Sequence, residues 1–209
     1  MTFLIITTDD FCPQSMSLWM HWQWLKKMHP RLKLTAFVPA KYLNKSSNDI
    51  IRNKEFWKWR KETKAWIEIA AHGMTHTYPP EFTKFRNHQE RIIKKMTGKL
   101  RRYFPLNKGF KAPFYKMNDV TIEIIKKHNY AYIAHWNTIF FLHHIVPNSP
   151  PYMLEHSHSR IPDGNPEENT PKDNINLIRN VLHRKLKKWE SRGITYLTIN
   201  EYIERHKER

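Results

Sequence analysis

The sequence predicts a single α/β domain built on a largely parallel sheet. Three observations carry that expectation. β-branched, apolar runs alternate along the chain with longer helical stretches, and hairpin signals are few, as in folds where helices connect parallel strands. The 209 residues are within the size of one domain. No repeat, low-complexity tract or long linker divides them, so residues 1–209 read as one unit.

The elements follow in order. Residues 2–8 (TFLIITT) form a continuous apolar run that stops at two aspartates. Such a run suits a strand covered on both faces. Ser15 offers a cap to a helix reaching Met28 and closed by Pro30. Residues 32–38 (LKLTAFV) are a second strand, residues 47–63 a helix, and residues 66–71 (WIEIAA) a third strand that leads into His72. A long basic helical region spans 82–103, and a short strand at 109–112 precedes Pro113. Asn118 is placed to cap a helix through His128. Strands are expected at 130–134, 138–142 and 152–156. The polar, Pro-containing stretch 160–174 reads as a loop. A helix over 174–191, a strand over 193–199 (GITYLTI) and a final helix capped by Asn200 complete the chain.

Composition narrows the function classes. Apolar residues are 40% and aromatics 13%, with eight Trp, too apolar for a disordered chain. No apolar segment reaches the roughly 18 residues that span a bilayer, and no signal-peptide pattern opens the sequence. The single Cys12 excludes an internal disulfide and a multi-cysteine zinc site, and reads as a packed small residue rather than a nucleophile. A cytoplasmic protein is the expectation; oligomeric state is left open. Lys and Arg exceed Asp and Glu by 36 to 19, a net charge of +17. Much of the excess falls in 91–102 and 184–192. Two readings of it stand: solvated helix faces, or a field that attracts an anionic glycan, a phosphorylated sugar or nucleic acid.

Unusual polar residues collect where strands end. Asp9 and Asp10 follow the first strand, His72 and His76 the third, Lys111 ends the fourth, and His156 and His158 follow the seventh. Active sites of α/β folds lie at the carboxyl ends of their parallel strands. Two histidines four apart reach one ion from one side of a helical turn. With one carboxylate they leave coordination positions open, as a catalytic site requires. Adjacent aspartates repel, and a cation held by one of them relieves the repulsion.

At these residues the chain resembles the polysaccharide deacetylases of the NodB-homology type, carbohydrate esterase family four. Thr7-Thr8-Asp9-Asp10 is similar to the family's Thr-x-Asp-Asp motif, and His72-Gly-Met-Thr-His76 to its His-(Ser/Thr)-x-x-His motif, with Gly73 in place of the hydroxyl residue. Lys111-Ala112-Pro113-Phe114 resembles Arg-x-Pro-(Tyr/Phe), with the guanidinium fork lost. The fourth motif, an Asp with a nearby Trp, is represented by Trp136 alone, and Leu154-Glu155-His156 resembles the final Leu-x-His. The resemblance implies a distorted (β/α) barrel of about seven mostly parallel strands. It implies Asp10, His72 and His76 as ligands of Zn2+ or a similar divalent ion, Asp9 as general base, Lys111 orienting it, and His156 as general acid, with His158 as its competitor. Pro113, Phe114, Tyr115, Trp136 and Leu154 would line the substrate site, with a backbone N–H near Phe114 or Tyr115 holding the oxyanion. Loops 143–151 and 158–172 would shape the groove.

The function so implied is metal-dependent hydrolysis of an N- or O-linked acetyl group on a carbohydrate. Two alternatives remain at this point: deacylation of a modified nucleotide or nucleic acid, and a non-catalytic module that binds an anionic ligand on the same scaffold.

Overall fold

The computed structural model describes residues 3–101, 109–135, 138–142, 152–158 and 175–207. The strands are β1 (Phe3–Asp9), β2 (Leu34–Val38), β3 (Ile67–Ala71), β4 (Gly109–Lys111), β5 (Tyr132–Ala134), β6 (Ile139–Phe141), β7 (Tyr152–His158) and β8 (Thr195–Tyr196). The helices are α1 (Met16–Met28), α2 (Lys54–Thr63), α3 (Arg86–Arg101), α4 (Asp119–Lys127), α5 (His183–Glu190) and α6 (Ile199–Lys207). A π-helical turn, Leu177–Leu182, leads into α5.

Seven strands form one curled path in the order β6-β5-β4-β3-β2-β1-β7, and β8 joins β1. The pairings between these strands are parallel except that of β5 with β6. Thr7 and Thr8 pair with β2, while Phe3 and Leu4 pair with β8, so β1 is flanked along its length although β2 covers only its carboxyl end. The expectation of a distorted (β/α) barrel holds. Among the described residues β6 and β7, the two ends of the path, do not pair, and the barrel stays split there.

The two faces of the sheet bury different partners. Every residue of β1 is buried, so its apolar run is continuous rather than alternating. Leu4 and Ile6 join a large cluster with Trp19, Trp22, Phe56, Ile93 and Leu100 from the outer helices. Phe3 and Ile5 join a second cluster with Phe37, Ala70, Tyr132, Ile199, Tyr202 and Ile203, so α6 fills part of the inner face. By the two-residue period, Asp9 shares that inner face, as do His72 beyond Ala70 and Lys111 beside Phe110. Gly109 has a steric reason: a Cβ there would lie 2.1 Å from the Tyr132 ring. The Tyr132 hydroxyl crosses to donate to Glu68 Oε1 at 2.7 Å.

Three local expectations are corrected. The helix expected over 47–63 starts only at Lys54, where Asn53 accepts from Phe56 N–H at 2.8 Å. Ser15 does not cap α1; its hydroxyl instead accepts from Cys12 N–H and Trp19 Nε1–H and donates to the Cys12 carbonyl. Asn200 lies inside α6, whose start is closed by Thr198 and Glu201 in a reciprocal pair of hydrogen bonds. Asn118 does cap α4, accepting from Thr121 N–H.

Candidate metal centre

Asp9 is the last residue of β1, and Asp10 turns the chain out of the sheet with φ +55°. His72 follows β3 directly. The segment 72–76 is not helical, contrary to the turn read from its spacing. It is a loop in which Gly73 has φ +76° and His76 φ +54°. Its Gly73, Met74 and Thr75 carbonyls accept from the N–H groups of Ala40, Lys41 and Leu43. That clamp, rather than helical periodicity, brings the two imidazoles together, with ring centroids 5.1 Å apart.

Asp10 Oδ1 lies 3.1 Å from His76 Nε2 and 3.5 Å from His72 Nε2. Donors about 2.0–2.1 Å from a tetrahedral zinc stand about 3.4 Å from one another. One donor atom from each of the three residues lies within 4.8 Å of the others, and all three residues are buried. His72 Nδ1 donates to the Lys111 carbonyl at 2.9 Å, which leaves Nε2 as the lone-pair nitrogen facing the cluster. Burial pushes the His72 pKa down to about 4 despite Asp9 and Asp10 nearby, so the ring is neutral, the form that binds a metal. The residues therefore fit one divalent transition ion.

Asp9 sits beside this cluster with a different set of partners. Lys111 Nζ is 2.9 Å from its Oδ2, and both side chains are almost wholly buried. Tyr115 donates its hydroxyl to the same oxygen at 3.2 Å. The ammonium and the phenol thus meet on one carboxylate oxygen, where a guanidinium fork would reach for both oxygens. The ammonium also lies over the Phe37 and Tyr115 rings, 5.2 and 4.9 Å from their centroids. Burial holds the Lys111 pKa below its usual value, and the Asp9 charge opposes that fall.

Pro113, Phe114 and Tyr115 form a tight turn after β4, with Phe114 and Tyr115 both at positive φ. The turn sets Phe114 against His76, ring centroids 4.4 Å apart, and Tyr42 packs near the same imidazole at 5.5 Å. Backbone strain of this kind concentrates at functional sites. The Tyr115 N–H already donates to the Ala112 carbonyl, which removes it from the two amides expected to hold an oxyanion. Sequence reasoning missed Tyr42 and the Tyr115 hydroxyl, each of which reaches the site from a segment distant in sequence. It also missed Glu81, which is close in sequence and accepts from the Met74 and Thr75 N–H groups inside the loop.

The register of β7 on β1 sets His156 beside Thr7, His158 beside Asp9 and Leu154 beside Ile5. Trp136 and the loops 143–151 and 159–172 lie outside the described residues. Cys12 is fully buried, and burial with the nearby Asp10 charge raises its pKa to about 12, so it stays a thiol, as expected.

The sequence matches no family model and no curated protein. Solved structures do match. A family 4 acetyl xylan esterase from Clostridium thermocellum, in complex with a cobalt ion, has a TM-score of 0.62 at 14% identity, covering 95% of this chain and 89% of that one. The chitin deacetylase of Colletotrichum lindemuthianum gives 0.63 at 13% identity, covering 95% and 86%. A mutant of a Bacillus anthracis pseudoenzyme of the same family, with restored enzymatic activity, gives 0.66 at 14% identity. It is covered over 66% of its length, so this chain spans just under two thirds of that protein. The fold is that of the family 4 carbohydrate esterases.

Proposed function

We propose that the chain is a metal-dependent deacetylase of carbohydrate esterase family four, hydrolysing an N- or O-linked acetyl group on a carbohydrate. One observation carries the reading: Asp10, His72 and His76 converge beside a separate carboxylate, Asp9, that Lys111 and Tyr115 orient. The esterase and deacetylase whose fold it shares act, by their names, on acetylated xylan and chitin, which supports the substrate class.

Asp10, His72 and His76 would hold the ion, with zinc the ion their chemistry suits and cobalt, nickel or iron as substitutes. When bound, it supplies Lewis acidity to the acetyl carbonyl and to water. Asp9 takes the proton of the attacking water, its orientation fixed through Oδ2 by Lys111 and Tyr115. The Phe114 N–H, of the two amides read from the sequence, is left to donate to the developing oxyanion. His156 protonates the leaving amine or alcohol, with His158, one pleat further along β7, as the competing acid. Phe114 and Trp136 wall the acetyl group, with Pro113, Tyr115 and Leu154 shaping the rest of the site.

Acetate release from chitin oligomers and acetylated xylan tests the reading. Wild type is expected to release acetate when loaded with zinc. Asp9→Asn is expected to keep the metal and lose turnover by about 10²–10⁴-fold. A metal-loaded wild type inert on every acetylated glycan would favour the non-catalytic module. The +17 charge motivates a second substrate, an acylated nucleotide, checked by adding one to the same panel.

A further inference from the structure

We propose that Glu81 is a positioning residue for the metal centre, bracing the loop that carries His72 and His76. The inference rests on the metal reading above. Glu81 is 4% exposed, five residues beyond His76 and at the start of no helix or strand. Its Oε2 accepts from Met74 N–H at 2.9 Å. Its Oε1 accepts from Thr75 N–H at 2.7 Å and from the Thr75 hydroxyl at 2.5 Å. Met74 and Thr75 are two of the three residues between the two histidines.

The loop is thus held from both sides. Its carbonyls at 73, 74 and 75 are taken by the segment after β2, and its N–H groups at 74 and 75 by Glu81. Buried N–H groups need such acceptors, and a charged acceptor is stronger than a neutral one. Gly73 is what admits the carboxylate. A Cβ at 73 would lie 2.5 Å from Glu81 Oε2 and 2.6 Å from Pro113 Cγ, and the φ of +76° disfavours any side chain there. A residue with a hydroxyl at 73 and a carboxylate at 81 compete for the same space, so the glycine and the glutamate are one device. Its product is the backbone path that puts His76, at φ +54°, within 3.1 Å of Asp10.

The test measures zinc affinity by chelator competition, the visible spectrum of the cobalt-substituted protein, and the melting temperature of the metal-free protein. It compares wild type with Glu81→Ala and Glu81→Gln. Glu81→Ala is expected to weaken zinc binding about 10–100-fold and to change the cobalt spectrum. Glu81→Gln, with one carbonyl acceptor left, is expected to fall between. A lowered melting temperature with zinc affinity within twofold of wild type would reduce Glu81 to a purely structural residue and overturn the inference. Should Glu81→Ala not fold, the isosteric Glu81→Gln decides alone: unchanged affinity and spectrum overturn the proposal. A wild type that binds no zinc overturns the metal reading, and this inference with it.

Discussion

Lys111 shows how one side chain can serve the site and threaten the fold. Its ammonium and the Asp9 carboxylate are both almost wholly buried, 2.9 Å apart. A buried pair is costly to desolvate, and its partners depend on each other. Lys111→Met leaves the Asp9 charge with the Tyr115 hydroxyl but no cation, and is expected to cost about 3–5 kcal/mol. Urea denaturation at neutral pH reads this; a loss below about 1 kcal/mol would mean Asp9 is satisfied without Lys111. His72 sets a pH dependence. Its folded pKa is about 4, pushed down by burial, against about 6.5 in the unfolded chain. The unfolded chain therefore takes up the proton first. The contribution of His72 to the stability of the metal-free protein is fully present above about pH 6.5 and is lost between about pH 6.5 and 4, by a few kcal/mol. Thermal melts at pH 7.5 and 4.5 are expected to differ more in wild type than in His72→Asn.

At the scale of elements, the strands were readable because parallel strands buried on both faces carry uninterrupted apolar runs. The TFLIITT and WIEIAA segments became β1 and β3, and the polar residues after them lie at the carboxyl ends expected. Helix starts were read less well, where several cap formers compete locally. In 46–53, Asp49 accepts from Ile51 N–H and Asn48 donates to Gln14, so the chain turns before Asn53 starts α2. At the last helix, Thr198 and Asn200 both qualify in sequence, and Glu201, three residues after Thr198, decides for Thr198. Thr198→Ala is expected to cost about 1 kcal/mol, a fall of about 2–4 °C in Tm, while Asn200→Ala spares the cap. Equal effects of the two would contradict that assignment. The loop 72–76 was misread as a helical turn because spacing four also arises when a clamped loop folds back.

Over the whole molecule, the inner face of the split barrel is divided along the strand direction. α6 fills it near the start of β1 with Tyr202 and Ile203, and the carboxyl ends of β1, β3 and β4 carry Asp9, Asp10, His72 and Lys111. Asp10 and His72 were legible because each lies at or just past a strand end, and His76 because it stands four residues beyond His72. The Tyr115 hydroxyl on Asp9 and Tyr42 beside His76 were not, since each joins segments whose approach only the folded sheet sets. Glu81 is near in sequence, but the non-helical path of the loop, which spacing did not reveal, is what turns the Met74 and Thr75 N–H groups toward it. No described helix is long and apolar enough to cross a membrane. The central claim, that Asp10, His72 and His76 hold one metal ion, is tested most directly by elemental analysis of the purified protein beside His76→Ala. About one zinc or similar ion per wild-type chain, and none in the variant, is the predicted result. A wild type without metal after incubation with zinc, or a His76→Ala variant that retains it, would contradict the site.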